Sequence, residues 1–237
     1  MKKKLRIIIL LAGLLLQLCC SNSVEEKTMN QNISEKNNDE SGLRYSRLFK
    51  NSESIRTFIG INFDADQKKF INVLKKNIQS EVGGKFKWEP LEKFHITLKF
   101  IGETNEELLK NIIGLMKSAS LKFDKFEISA GLNYGVFPGF EKPKVLWIGV
   151  TDKTKQISEI AGFFNNELDK YGVEVDEKEF HPHITIGRIN KNSRLTDDEK
   201  DLIKNKVLDE KNIKIEKITL FQSIYGEYKA IFEAELR

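Results

Sequence analysis

The apolar positions of the chain follow two different periods, which predict strands and helices in turn. Isoleucine or threonine occupies positions 55, 57, 59 and 61, and this alternation indicates a β-strand. A helix is predicted next, because apolar residues recur at helical spacing: Phe70, Val73, Leu74 and Ile78. Gly83 and Gly84 are expected to end this helix.

A second strand is predicted over residues 94–101, and it contains the tetrad His-Ile-Thr-Leu at positions 95–98. Thr104 and Glu107 have the spacing of a capping box, which predicts the start of another helix. The expected apolar residues of that helix are Leu108, Leu109, Ile112 and Leu115. Residues 123–129 are predicted to form the strand that follows.

The same order of elements recurs in the second half of the chain. We predict a strand over 145–150, a helix over 157–168 that stops by Gly172, and a strand over 183–189. This last strand contains a second tetrad, His-Ile-Thr-Ile, at positions 183–186. Thr196 and Glu199 form another capping box before a short helix. The final strands are predicted over 213–221 and 229–236.

The two halves match in spacing as well as in order. Phe58 and His95 are 37 residues apart, and Trp147 and His183 are 36 apart, which indicates an internal duplication. Two similar lobes related by a pseudo-twofold axis would bring the tetrad strands together in a central cleft. Strands and helices do not alternate as in a parallel fold, so we predict an α+β class with two mixed or antiparallel sheets.

The N-terminal segment has the layout of an export signal. Residues 2–6 include four basic residues, and residues 7–18 form an apolar run that is too short to span a bilayer as a helix. Cys19 and Cys20, the only cysteines, follow at once, so no disulfide framework is expected. Residues 16–19 resemble a bacterial lipoprotein box, in which a cysteine, here Cys19 or Cys20, is lipidated.

We therefore predict a signal peptide of lipoprotein type over 1–20, a flexible tether over 21–53 and a two-lobed domain over 54–237. The protein would be exported and tethered to the membrane by lipid. Two alternatives remain: a simple membrane anchor, or a true start at Met29, which would leave the protein in the cytoplasm.

The net charge of +4 depends on the predicted signal, which contains four basic residues. Without them, 35 basic residues face 35 acidic ones. This balance argues against a broad nucleic-acid-binding surface, although a small basic pocket remains possible.

The two tetrads supply the candidate chemistry. The strand period of two places His95, Thr97 and Lys99 on one face, and it places His183 and Thr185 together in the same way. One imidazole can take a proton from water while the other gives one to a leaving oxygen. The threonine hydroxyls can donate to phosphoryl oxygens. Such cleavage of a phosphodiester requires no metal and no cofactor.

These segments resemble the two-histidine phosphoesterases, and within them the RNA 2',3'-cyclic phosphodiesterases, also called 2'-5' RNA ligases. The resemblance covers about residues 55–236. It rests on RTFIGI at 56–61, FHITLKFIGE at 94–103, GVFP at 135–138, PKVLW at 143–147, FHPHITIGR at 180–188, and LFQS at 220–223 with Tyr228. It implies a bilobal α+β fold and hydrolysis of RNA or nucleoside 2',3'-cyclic phosphates to 2'-phosphomonoesters.

The resemblance also implies roles for single residues. His95 would protonate the leaving 3' oxygen, and His183 would activate water, although the two roles can be reversed. Thr97, Thr185 and Arg188 would bind the phosphate. Simple alternation puts Arg188 on the face opposite His183, so its role requires the strand to end or bulge near Gly187.

Other residues are open to two interpretations. Arg56 and Lys99 could add positive charge near a phosphate or be solvated at a strand edge. Lys144 stands where the family often has arginine, and His181 is either a bystander or part of the cleft. The larger aromatic side chains are expected to pack in the core: Phe100, Trp88 and Trp147.

Two further functions remain open. One is another two-histidine activity, such as RNA ligation, and the other is a non-catalytic surface lipoprotein that binds a nucleotide. The expected partners are RNA ends or small cyclic nucleotides and, through the lipid anchor, a membrane. No protein partner is predicted. An exported enzyme of this kind could scavenge nucleotides.

Overall fold

A computed structural model of the chain describes residues 45–50 and 52–237. The predicted signal peptide with Cys19 and Cys20, and most of the predicted tether, lie outside the described residues. The chain divides into two units after Ser52. The described part of the first unit contains one short 3-10 helix, Arg47–Phe49. Within the described residues, no helix combines the length and the apolar character needed to cross a membrane.

The second unit contains four α-helices and nine strands in its described residues. The helices are α1 Ala65–Val82, α2 Glu106–Lys122, α3 Gln156–Asp169 and α4 Asp197–Asn205. The strands are β1 Ile55–Asn62, β2 Phe86–Trp88, β3 His95–Thr104, β4 Phe126–Phe137, β5 Val145–Thr151, β6 His183–Ile189, β7 Lys211–Ile215, β8 Lys217–Ile224 and β9 Glu227–Glu235.

Two antiparallel sheets organise these strands, so the predicted α+β class is confirmed. Sheet 1 has the order β3-β1-β8-β9, and sheet 2 has the order β2-β6-β5-β4-β7. The tetrad strand lies beside the first strand of its own half in each sheet, β3 beside β1 and β6 beside β5. The tetrad strands β3 and β6 also contact each other, which brings the two sheets together at the histidines.

The two halves exchange two strands each, β2 and β4 for β8 and β9. β4 belongs to the first half of the sequence but pairs with β5 in sheet 2, and β8 belongs to the second half but pairs with β1 in sheet 1. Each lobe therefore contains strands from both halves. The two tetrad strands pair with their neighbours in equivalent ways, as an internal duplication requires. The two lobes, however, do not correspond to the two halves of the sequence.

The core forms where helices cover one face of each sheet. α3 packs on β3, α2 packs on β8 and β9, and α1 and α4 pack on β4. The isoleucines inside the tetrads are fully buried, including Ile96, Ile184 and Ile186. Burial of these apolar side chains fixes the tetrad strands in place, since protein interiors are closely packed.

Three local predictions are corrected. Thr104 is the last residue of β3, and the N-cap of α2 is Asn105, whose side chain accepts from the Leu108 amide. The predicted strand over 213–221 is two strands, β7 and β8, that lie in different sheets. β4 continues to Phe137, well beyond the predicted end at 129. The capping box of Thr196 and Glu199 is present at the start of α4.

Candidate active site

A bulge at the fourth residue of each tetrad sets the direction of the side chains that follow it. In the β1–β3 pair, Lys99 faces Ile59 and Thr97 faces Gly60, so Leu98 has no partner. In the β5–β6 pair the register likewise skips Ile186. Because a bulge adds one residue, the residues after it change face relative to simple alternation.

The bulge in β6 places Arg188 on the histidine face. His183, Thr185 and Arg188 pair with Gly149, Trp147 and Val145, which alternate along β5 and so share one face. The bulge that the Arg188 role requires is therefore present. Its guanidinium is about half exposed, and Nε donates to Glu89 Oε1 at 3.1 Å.

The bulge in β3 has the opposite effect on two predictions. Phe100 falls in register with His95 and Thr97, and its ring is 47% exposed, so the expected core position is wrong. The guanidinium of Arg56 lies 5.0 Å from the Phe100 ring centroid, which gives Arg56 a partner at this edge. Phe100 thus occupies in sheet 1 the position that Arg188 occupies in sheet 2.

Lys99 points away from the histidines and is buried, so both interpretations of it are wrong: it lies neither near the phosphate site nor in solvent at a strand edge. Its side chain is 1% exposed, and the ammonium donates to Asn165 Oδ1, the Glu174 carbonyl and Asp176 Oδ2. These partners belong to α3 and to the segment that leads to β6. Lys99 therefore ties the first tetrad strand to the chain that precedes His183.

His95 lies at the start of β3 with its ring fixed at both nitrogens. Nδ1 lies 2.6 Å from the Lys93 carbonyl, and because a carbonyl only accepts, Nδ1 carries the proton. Nε2 lies 3.1 Å from the Thr97 hydroxyl, which donates to it in the neutral ring. The nitrogen that faces the site is therefore a proton acceptor in the neutral state.

His183 is held in the same way at the start of β6. Its Nδ1 lies 2.7 Å from the His181 carbonyl, so Nδ1 is again the donor and Nε2 is left for the site. The two tetrads therefore present equivalent nitrogens. The His181 side chain is exposed, and its backbone carbonyl orients the His183 ring.

Aromatic rings surround both imidazoles. His95 contacts Phe58, Phe221 and Tyr228, with ring centroids 4.9, 5.7 and 5.1 Å away. His183 contacts Phe137 edge to face at 4.9 Å and Trp147 at 6.2 Å. These rings remove water from the imidazoles while leaving Nε2 to the site.

This environment lowers the pKa of both histidines. Burial lowers the pKa of His95 to about 4, and the positive charges of His183, Lys68 and Arg188 act in the same direction. Burial also lowers the pKa of His183, with His181 and Arg188 adding to the effect. The positive charge of Arg188 lowers the pKa of both histidines, so the Arg188 side chain lies near the pair.

Trp147 lines this face of sheet 2 instead of filling the core as expected. It is half-buried, and its indole lies across Gly135, where any Cβ would come within 2.1 Å of the ring. Its Nε1 has no hydrogen-bond partner among the described residues. The predicted core position of Trp88 is also incomplete, because the ring is only half-buried and its Nε1 donates to the Gly83 carbonyl.

Several site residues could not be found from the tetrads alone. Phe221 and Tyr228 come from β8 and β9, and they reach His95 only because β8 is exchanged into sheet 1. Glu89, the partner of Arg188, follows the unpredicted strand β2. Among the described residues, no group of three or more His, Cys, Asp or Glu side chains could hold a metal ion.

The family model described as LigT like Phosphoesterase matches residues 61–147 and again residues 148–231. Curated relatives named RNA 2',3'-cyclic phosphodiesterase include one from Aeropyrum pernix, 33% identical over 61% of this chain and 82% of the relative. Another, from Aquifex aeolicus, is 31% identical over 60% of this chain and 74% of the relative.

Solved structures agree on the fold. A protein of Thermus thermophilus has a TM-score of 0.65 at 19% identity, covering 77% of this chain and 98% of its own. Escherichia coli LigT in complex with 3'-AMP has a TM-score of 0.61 at 18% identity, covering 78% and 99%.

The paired histidine strands in two antiparallel sheets define a two-histidine phosphoesterase, an enzyme that hydrolyses phosphoric esters. The tandem family match also agrees with the internal duplication. The chain belongs to the LigT-like phosphoesterase family.

Proposed function

We propose that the protein hydrolyses RNA or nucleoside 2',3'-cyclic phosphates to 2'-phosphomonoesters without a metal ion. The observation that carries the proposal is the equivalent pair of imidazoles. In each, Nδ1 donates a hydrogen bond to a backbone carbonyl and Nε2 is directed to the site. The names of the curated relatives give the same substrate class.

The reaction follows from the two Nε2 atoms. His183 Nε2 takes a proton from water, whose oxygen attacks phosphorus. The bond from phosphorus to the 3' oxygen breaks, and His95 Nε2 gives that oxygen a proton, which leaves a 2'-phosphate. One ring must accept and the other must donate, so one neutral and one protonated imidazole are needed.

The lowered pKa of His95 indicates how its proton is acquired. Burial and neighbouring positive charge disfavour the imidazolium in the free site. An anionic phosphate between the rings reverses this effect, because an opposite charge favours the charged form. Substrate binding therefore helps to charge the acid that the reaction needs.

Thr97, Thr185 and Arg188 share the faces of the two histidines and are the proposed phosphate ligands. Arg188 uses Nε for Glu89, which leaves its terminal nitrogens to donate to phosphoryl oxygens. When Thr97 turns its hydroxyl from His95 to the phosphate, Nε2 becomes free to hold the catalytic proton.

The direct test is turnover of adenosine 2',3'-cyclic phosphate by the full-length chain in EDTA, with products separated by chromatography. We expect 2'-AMP as the product and the same rate with and without the chelator. A rate that disappears in EDTA and returns with a divalent ion would contradict the metal-independent mechanism. Formation of 3'-AMP would show that the other ester bond is broken.

Replacing Arg188 with glutamine is expected to raise KM by about 10- to 100-fold, because a hydrogen bond to a charged group contributes roughly 1.5–3 kcal/mol. The effect is measured by steady-state kinetics on the same cyclic nucleotide. Arg237→Gln is the matched control, since that arginine pairs with Asp124 on another part of the surface. Equal KM values for both variants and the unchanged protein would exclude Arg188 as a phosphate ligand.

A further inference from the structure

A groove of about 640 Å³ lies at the end of sheet 2 where β5 begins and β6 ends. It is formed by the β4–β5 loop, the β6–α4 loop and the start of α4. Five cationic side chains line it against a single carboxylate, Glu141. The cations are Lys142, Lys144, Lys191, Arg194 and Lys200. We call these five residues and the space between them the basic groove.

Four of the five cations have no acidic partner within the described residues, and only Lys200 forms an ion pair, with Asp197 at 2.8 Å. Elsewhere on the surface many lysines pair with a carboxylate, as Lys69 does with Asp66 and Lys217 with Glu233. Isolated surface lysines are ordinarily only solvated. Here five cations cluster around one concavity beside a single carboxylate, which leaves a concentrated positive field for an anion.

The basic groove lies past Arg188, at the end of β5 and β6 that is away from the histidines. Lys144 immediately precedes Val145, the partner of Arg188, and its carbonyl accepts from the Ile189 amide at 3.0 Å. Lys144 stands five positions before Gly149, the partner of His183. At about 3.3 Å per residue this is roughly 17 Å, so the groove lies beyond the reacting phosphate.

We propose that the basic groove binds backbone phosphates of an RNA chain whose 2',3'-cyclic end lies between the histidines. This inference rests on the proposed function and specifies its substrate as an oligoribonucleotide in preference to a cyclic mononucleotide. A mononucleotide has no phosphate that reaches the groove. An oligonucleotide of several residues contacts Arg188 and the groove together.

The test compares kcat/KM for adenosine 2',3'-cyclic phosphate with kcat/KM for a six-residue oligoribonucleotide ending in a 2',3'-cyclic phosphate. The full-length chain is assayed beside the charge-reversed variant Lys191→Glu/Arg194→Glu. We expect the unchanged protein to favour the oligonucleotide, and the variant to lower the ratio of the two constants at least tenfold. The ratio should also fall with added salt, since each neutralised phosphate of a single strand contributes about −0.7 to the logarithmic salt slope.

Lys117→Glu/Lys153→Glu is the matched control, because it makes the same change in net charge at exposed positions of α2 and the β5–α3 loop. The inference is overturned if both substrates are turned over with equal constants, or if the control lowers the ratio as much as the groove variant. If neither substrate is turned over, the proposed function itself fails. In that case, binding of a labelled oligonucleotide with a 2'-phosphate end, measured by fluorescence anisotropy, tests the basic groove separately. Loss of binding in the groove variant alone supports the inference, and unchanged binding in that variant overturns it.

Discussion

Replacing His95 or His183 with alanine is expected to lower kcat on a 2',3'-cyclic nucleotide by about 10²- to 10⁴-fold, the usual contribution of a positioned general acid or base. The two residues act in one proton-transfer step, so the double variant should lose much less than the product of the single losses. The measurement is kcat for the unchanged chain, both single variants and the double variant.

The control for this series is His181→Ala. His181 is two residues before His183 and holds its Nδ1 through a backbone carbonyl, which alanine retains. Removing its exposed ring should therefore reduce kcat far less than removing the ring of either tetrad histidine. Circular dichroism confirms that each variant is folded. A folded double variant that keeps the activity of the unchanged chain would refute the paired mechanism.

Much of the site could be predicted because its signal is local. The two tetrads alternate apolar and polar residues within four positions, and the intervals that precede them match. Their isoleucines are buried and their histidines share one orientation, as the strand period requires. The same reasoning gave the α+β class and the capped start of α4.

The errors about strand faces and strand partners have one physical origin, which is that strand pairing is decided between distant residues. Alternation predicted Lys99 beside His95 and Phe100 in the core, and the bulge at Leu98 reverses both. A bulge depends on the partner strand, so the sequence of β3 alone does not reveal it. For Arg188 the resemblance required a bulge, and the register at Ile186 supplies it.

The strand exchange has the same origin. Residues 213–221 are continuously favourable for a strand, but the chain passes from sheet 2 to sheet 1 at Glu216. This change brings Phe221 beside His95, from which it is distant in sequence. The aromatic surroundings that lower the pKa of His95 are therefore a property of the tertiary fold.

The lowered pKa of His95 should make the protein less stable in acid. Its pKa is about 4 in the folded chain against an ordinary value of 6.5, so the unfolded chain binds an additional proton between these values. Stability therefore rises with pH across this window and is lost as pH falls. At 1.36 kcal/mol per unit, the shift corresponds to about 3 kcal/mol between pH 6.5 and 4. The lowered pKa of His183 acts in the same direction.

The free energy of unfolding, measured by urea titration at several pH values, tests this expectation against His95→Gln. The variant should lose most of the pH dependence that His95 supplies. Carboxylates with lowered pKa values, such as Asp124 and Glu216, lose their contribution as pH falls through their ordinary values of 3.8 and 4.5, so the upper part of the histidine window is free of them. Equal slopes for both proteins would mean that His95 is as readily protonated in the folded chain as in the unfolded one.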